Sequence, residues 1–452
     1  MKLSVKNIGM IKDAQVDFKG LTVIAGENDT GKSTIAKLIF AFIKALATYE
    51  QDYGENRRQR IITQVEKIYF LIRRNFNLEV EDELRDNFLP PGFLAKLQPF
   101  LDINYEEGLK SLLEEKTKLI EDKLLDLVEE KREEFFTAYK FHLEELIQLI
   151  TKKEESKTAL QGALNRVLNS EFNFEINDKL RPEAEGVVSC YDGATRLFSF
   201  EIRDNSVENL EYLENPNFKD VTYIETPMIL QMYDLINRSE MALDRVVGTS
   251  KGSISGSVQI HTRDLLSKLM ESRYFEDYYE VEALRSEEKI YSTIEALTGG
   301  YVSFKKKSQD FIFNKLLGED QVEFRSSNMA TGIKSFGIIQ LLLKSGILNS
   351  QSLLAIDEPE VHLHPKWQVE YAKVIVGLVK HGIPILITSH SPYMIKAIDF
   401  YSKKEKIEDM VSYYFSDSKD KTYSNIQGVE GDLNQIFVKL AEPFEELVWK
   451  KP

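Results

Sequence analysis

Cysteine is nearly missing from this chain of 452 residues, with Cys190 the single thiol. One thiol excludes an intrachain disulfide framework and a four-cysteine zinc site, and it fits a reducing compartment. A cytoplasmic location is therefore expected. Long apolar runs are missing too: no stretch approaches the roughly 20 apolar residues that span a bilayer, so no membrane contact is expected. The start, Met1-Lys2-Leu3-Ser4-Val5, alternates like a strand and lacks the basic-then-apolar layout of a signal peptide. Positive charge is in deficit: 58 Lys and Arg face 73 Asp and Glu, leaving a net charge of −15. Such a surface repels nucleic acid on average, so DNA contact needs a local basic patch. Two candidates exist, Arg57, Arg58 and Arg60, and Lys305-Lys306-Lys307. Each reads first as solvated surface, with a DNA-contacting edge of the head as the alternative.

What is present divides the chain in three. Residues 2–25 read as three short strands, the last of them the near-continuous apolar run Leu21-Thr22-Val23-Ile24-Ala25 of a strand buried on both faces. A helical stripe of Ile35, Leu38, Ile39, Phe42, Ile43 and Leu46 follows. From about 51 to 170 the character changes. Pro90, Pro91 and Pro99 break its first part, and residues 109–150 lack Gly and Pro and are dense in Glu and Lys. This reads as two or three helices folded back on one another, with a long coiled coil as the alternative. Strand patterns resume at 172–176, at Val187–Tyr191 and Leu197–Ile202 around Asp192-Gly193, and at Val221–Ile224. The Gly- and Ser-rich segment 248–257 reads as a flexible link. Two helices and a hairpin follow, pairing Tyr301–Phe304 with Phe311–Phe313. The buried strands Leu353–Ile356 and Ile385–Ile387 then alternate with helices, as in an α/β fold. The expected division is 1–50, 51–170 and 171–452.

Three motifs carry chemistry. Gly26-Glu27-Asn28-Asp29-Thr30-Gly31-Lys32-Ser33 matches the phosphate loop and lies between a buried strand and a helix, as that motif requires. Gly26 and Gly31 let the backbone of Asn28, Asp29 and Thr30 curl so that its N–H groups face a phosphate. Lys32 brings a cation to the β- and γ-phosphates, Ser33 can ligate Mg²⁺, Thr34 can donate to the α-phosphate, and the helix N-terminus adds favourable charge. The second motif, Asp357-Glu358-Pro359-Glu360, ends an apolar strand. Asp357 can hold Mg²⁺ through water and Glu358 can polarise the attacking water. In the third, Thr388-Ser389-His390-Ser391-Pro392, His390 closes another buried strand and can sense the γ-phosphate.

The order of phosphate loop, acidic pair and histidine resembles the ABC-type ATPase head shared by transporters, SMC proteins and RecF. That resemblance implies an α/β head, here with a large helical or coiled-coil insertion, and ATP and Mg²⁺ as cofactors. It also implies a signature at a helix start ahead of the acidic strand, contacting ATP held by a second subunit. Ala330, Thr331, Gly332 and Lys334 occupy that place, with Ala330 where the family has serine and Thr331 as the alternative hydroxyl. The run Asp357 to Pro365, Asp-Glu-Pro-Glu-Val-His-Leu-His-Pro, is similar to that of the overcoming-lysogenization-defect (OLD) group. His362 and His364 belong to that run and do not read as a metal pair.

OLD proteins carry a Toprim nuclease after the ATPase. No clean Glu and Asp-x-Asp set follows His390 here, and Asp417 to Asp420 reads as a hairpin turn. The resemblance therefore points to ATPase-only members, which in bacteria act with a separately encoded effector in anti-phage systems such as PARIS and Septu. It implies a head-to-tail ATP-sandwich dimer acting as a dimerising switch or sensor, with a higher oligomer left open through the insert. A DNA-repair or DNA-structuring ATPase of the SMC/RecF kind is the alternative. The insert, the acidic surface and the OLD-like run count against a transporter subunit. Gln64 and the Glu225-Thr226-Pro227 turn both remain candidates for the family's sensor between the two lobes.

Overall fold

In the computed structural model, residues 1–76, 78, 81–102, 106–124, 129–151, 154–178, 180–181, 183–233, 236, 258–271, 287–318, 320–418, 422–429 and 433–440 are described. The link at 248–257 lies outside them. The chain forms two units, one of Met1–Ala47 with Ala163–Pro452 and the other Thr48–Gly162. The sequence placed these junctions at 50/51 and 170/171.

The first unit is built on one mixed sheet of eleven strands among the described residues. Its first strands are β1 (Lys2–Ile8), β2 (Ile11–Asp17), β3 (Leu21–Gly26), β4 (Gly186–Asp192), β5 (Thr195–Arg203), β6 (Ser206–Tyr212) and β7 (Asp220–Ile224). A separate three-stranded sheet holds β8 (Gly300–Lys305), β9 (Asp310–Leu317) and β10 (Asp320–Arg325). The large sheet is completed by β11 (Ser352–Asp357), β12 (Ile385–Ser389), β13 (Val411–Asp417) and β14 (Ser424–Gly428). Its order is β6-β5-β4-β1-β2-β14-β13-β3-β12-β11-β7. This is an α/β fold of the kind expected for an ABC-type ATPase head. The strands β3, β12, β11 and β7 run parallel. All residues of β3 and β12 are buried, which is why each reads in sequence as an unbroken apolar run.

Register decides what these strands present. Ala25 pairs with Ser389, Thr388 with Asp357, and Ile356 with Ile224. The carboxyl ends of four neighbouring strands are therefore level. That edge is where open α/β sheets place ligands.

Helix α1 (Lys32–Asn75) leaves β3 and continues into the second unit. The helices α2 (Asp82–Phe88), α3 (Pro90–Asp102), α4 (Glu106–Leu124) and α5 (Glu129–Thr151) belong to that unit. It shares one apolar core that includes Ile68, Phe88, Phe93, Ile120, Phe135 and Tyr139. Within 109–150 the described residues form two helices of a packed bundle. Pro90 and Pro91 open α3 instead of breaking it, because the first helical positions need no backbone donor. Helix α6 (Glu154–Phe172) returns to the first unit.

The expected strand at 172–176 does not form. Helix α6 runs through Phe172, and Asn173 and Phe174 adopt positive φ of 49° and 63°. Its alternation of apolar residues is that of a helix terminus and turn. Further helices of this unit include α7 (Ile260–Glu271), α8 (Glu287–Thr298), α9 (Thr331–Lys344), α10 (Pro365–Lys380) and α11 (Pro392–Lys404). The ammonium of Lys268 anchors α7 to β7, 2.6 Å from Asp220 and donating to the Val221 carbonyl at 2.7 Å.

Candidate active site

The phosphate loop is shaped by close packing. A Cβ on Gly26 would lie 2.7 Å from the Ser416 carbonyl, and one on Gly31, whose φ is +81°, would lie 2.6 Å from Ile11 Cγ1. Asp29 also has positive φ, at 60°. The Ser416 hydroxyl on β13 donates to the Thr30 carbonyl at 2.6 Å, so a neighbouring strand holds the loop from beneath. The Thr30 hydroxyl and the Lys32 ammonium both donate to the Glu27 carbonyl, at 2.8 and 2.5 Å. Ser33 and Thr34 follow in the first turn of α1.

Asp357 collects three hydroxyls. Ser33 donates to Oδ1 at 3.0 Å, Thr388 also donates to Oδ1, and the buried Tyr223 on β7 donates to Oδ2 at 3.1 Å. Tyr223 and Thr388 carried no role in the sequence reading. Both sit on strands whose apolar runs conceal them. A serine hydroxyl converging on a carboxylate supplies the hard oxygen ligands that Mg²⁺ prefers, so the residues present fit that ion.

Glu358 sits in a tight turn with φ +43°, its amide donating to the Thr388 carbonyl and hydroxyl, both at 3.1 Å. Its Oε1 lies 3.8 Å from Lys32 Nζ and 3.4 Å from His390 Nδ1. The carboxylate remains 29% exposed, open to water, whereas the Lys32 side chain is 3% exposed. Burial lowers the Lys32 pKa, and Glu358 and Asp357 oppose that shift.

Glu360 is the buried partner of the histidine segment. Its Oε1 accepts from Ser389 Oγ at 2.8 Å and from the amides of His390 and Ser391 at 2.7 and 3.1 Å. His390 Nδ1 lies 3.3 Å from the same oxygen without hydrogen-bond geometry. Burial raises the Glu360 pKa, and these donors hold it back. The second glutamate of Asp-Glu-Pro-Glu was the available signal for this role.

Residues 1–395 match the AAA ATPase domain family AAA_15. The chain belongs to this family. The matched range is that of an AAA ATPase domain and includes the phosphate loop, the acidic strand and the histidine. A stretch of 100 residues, 22% of the chain, is 32% identical to the Septu protein PtuA of Bacillus thuringiensis. That stretch spans only 20% of PtuA's own length. Among solved structures, the SMC head domain of Thermotoga maritima aligns at 11% identity and a TM-score of 0.37, covering 95% of this chain and 98% of that one. An SMC head bound to the C-winged helix domain of ScpA aligns at 11% and 0.40, covering 96% and 98%.

The segment expected to act as the signature lies at the start of α9. Ala330 is the N-cap of α9, extended in backbone and lacking a side-chain cap, which a serine at that place would supply. Thr331 is the first helical residue. Gly332 is required by packing, since a Cβ there would lie 2.8 Å from the Trp367 ring. Lys334, expected at a nucleotide, is 2% exposed and donates to Gln231 Oε1.

Of the two sensor candidates, Gln64 lies in the helical unit, where its amide donates to the His142 carbonyl at 3.0 Å. Glu225 instead follows β7 directly, level with Asp357. His364, read as part of the OLD-like run, caps α10 by accepting from the Lys366 amide at 3.3 Å. No group of His, Cys, Asp and Glu among the described residues could hold a metal by itself. No helix among them is long and apolar enough to cross a membrane.

Proposed function

We propose that this chain binds Mg²⁺–ATP at the loop 26–33 and hydrolyses it, working as a nucleotide-dependent dimerising switch that controls a separate effector in anti-phage defence. The observation that carries the hydrolytic reading is the convergence of Lys32, Ser33, Asp357, Glu358 and His390 at level strand ends. In this reading the loop amides and Lys32 bind the phosphates and neutralise their charge. Ser33, and Asp357 through water, would hold Mg²⁺, which would supply charge stabilisation for the phosphates. Glu358 accepts a proton from the attacking water, for which its partial exposure leaves room. His390 faces both Glu358 and Glu360 and reports the loss of the γ-phosphate.

The trans arrangement rests on the amide end of α9. The first intrahelical bond there runs from the Lys334 amide to the Ala330 carbonyl. The N–H groups of Thr331, Gly332 and Ile333 thus precede the ladder, as an anion-accepting helix end requires. They are proposed to meet ATP bound by a second copy. The OLD-like wording of 357–365 and the local identity to PtuA support the defence role.

The test is Glu358→Gln in the full chain. It is expected to retain ATP and accumulate dimers in light scattering while turnover falls. Undiminished turnover would remove Glu358 from its role. The defence reading is tested separately, by co-purification with the product of the neighbouring gene and by ATPase rate with and without duplex DNA at stated salt. Strong stimulation by DNA would favour the repair reading instead.

A further inference from the structure

Glu225 stands at a junction of three structural elements. Its Oε1 lies 3.3 Å from Lys37 Nζ on α1, and its Oε2 lies 3.3 Å from His261 Nε2 on α7. The other nitrogen of His261 lies 2.5 Å from Glu171 Oε2 on α6. Glu171 Oε1 also accepts the His261 amide at 3.1 Å, and Ser170 Oγ accepts the Ile260 amide at 3.1 Å. The end of α6 therefore caps the start of α7. His261 and Glu171 are each 1% exposed.

Replacing such buried ionic groups by apolar side chains is often neutral or stabilising, so stability alone gives a weak reason for them. Their connections give a better one. The helices α1 and α6 are the two segments that run continuously into the unit Thr48–Gly162. Lys37 lies one helical turn beyond Ser33, and Glu171 lies at the last turn of α6. Glu225 is level with Asp357 on the adjacent strand. A second route reaches the same histidine: Tyr223 donates to Asp357 and its ring centroid lies 4.8 Å from that of His261.

We propose that His261 is a positioning residue, clamping Glu225 between the roots of α1 and α6 so that nucleotide occupancy at Asp357 is transmitted to both helices. The proposal rests on the ATP reading given above. A cation entering beside Asp357 competes with Lys37 and His261 for the Glu225 carboxylate. Only this differential pairing gives the ligand a means to shift the clamp. When Glu225 turns toward the site, His261 keeps Glu171 alone and the seat of α6 changes.

The experiment is hydrogen–deuterium exchange on the full chain, with and without Mg²⁺ and a non-hydrolysable ATP analogue. Calorimetry measures binding of the analogue in parallel. In the natural protein, exchange at residues 163–172 and along the first turns of α1 is expected to slow about threefold or more on binding. In His261→Gln and Glu171→Gln the analogue is expected still to bind while the change at 163–172 is lost. Glu225→Gln, whose parent side chain is 36% exposed, carries the test if the buried variants fail to fold. Binding with no change at 163–172 in the natural protein overturns the coupling, as does an unaltered change in the folded variants. Absence of binding in the natural protein is a different result and overturns the ATP reading itself.

Discussion

Ser33 and Asp357 are 324 positions apart in sequence, yet the serine hydroxyl donates to the aspartate Oδ1 at 3.0 Å. That bond joins the phosphate loop to the acidic strand across β12, which separates β3 from β11. Tyr223 holds the opposite oxygen at 3.1 Å. Tyr223→Phe is expected to weaken cation affinity by about 10- to 100-fold, the usual effect of losing a partner that orients a ligand. Mn²⁺ titration in the presence of ADP, followed by electron paramagnetic resonance, reads this directly. An unchanged affinity would show that Asp357 needs no support from β7.

Glu358→Gln keeps the shape of the side chain and removes its basicity. Turnover is expected to fall by roughly 100-fold or more, the scale of a lost general base. Steady-state phosphate release gives the rate, and filter retention of radiolabelled ATP checks that binding survives.

Glu360→Ala deprives Ser389 Oγ and the amides of His390 and Ser391 of one shared acceptor. Leaving buried donors unmet costs roughly 1–3 kcal/mol. Scanning calorimetry should then place the melting temperature of this unit lower by about 2–10 °C, given the shift per kcal/mol for a domain of this size. Glu360→Gln keeps one acceptor oxygen and should lose less.

Acidity should act on the His261 cluster in a defined direction. Contact with the carboxylates of Glu171 and Glu225 outweighs desolvation and raises the His261 pKa to about 9, while His261 and Lys37 lower that of Glu225 to about 2. The folded chain then binds more protons at His261 than the unfolded chain between pH 6.5 and 9. The histidine's contribution to stability is full below about pH 6.5 and is lost as pH rises through about 9. The Glu225 contribution is present above about pH 4.5 and is lost as pH falls toward 2. Urea midpoints of the natural protein and His261→Gln should converge on the alkaline side. A gap that persists undiminished at pH 10 would contradict the assignment.

Gly31→Ala tests the loop itself. The left-handed φ of +81° and a Cβ 2.6 Å from Ile11 both oppose any side chain there. ATP affinity should fall by at least about tenfold, with the strain of that backbone conformation adding about 1–3 kcal/mol of destabilisation. Equilibrium binding of a fluorescent ATP analogue measures the first effect.

The strands β3, β11 and β12 were legible because each is a buried apolar run that ends abruptly in polar residues. Their neighbourhood was not. The third strand of the small sheet, β10, is exposed at every residue, so no buried face marks it in sequence. Tyr223 reads as an ordinary strand aromatic, and the Glu171–His261 contact joins residues 90 apart whose meeting no local pattern announces. Lys334 reads as a nucleotide-contacting cation of the signature, and its burial against Gln231 is not visible in sequence. At 172–176 the failure was one of period, for a few alternating apolar residues fit a helix end and turn as well as a strand.

A Cβ on Gly332 would lie 2.8 Å from the six-membered ring of Trp367 and 3.3 Å from Leu363 Cδ2, so no side chain fits between them. The start of α9 thus packs closely against the loop after Glu358 and the start of α10. If two copies face each other as proposed, the group that senses a neighbour's nucleotide cannot shift without disturbing the group that prepares water in its own site. The two sites would then fire in a concerted way, with ATP dependence steeper than hyperbolic, and a single impaired subunit would silence its intact partner.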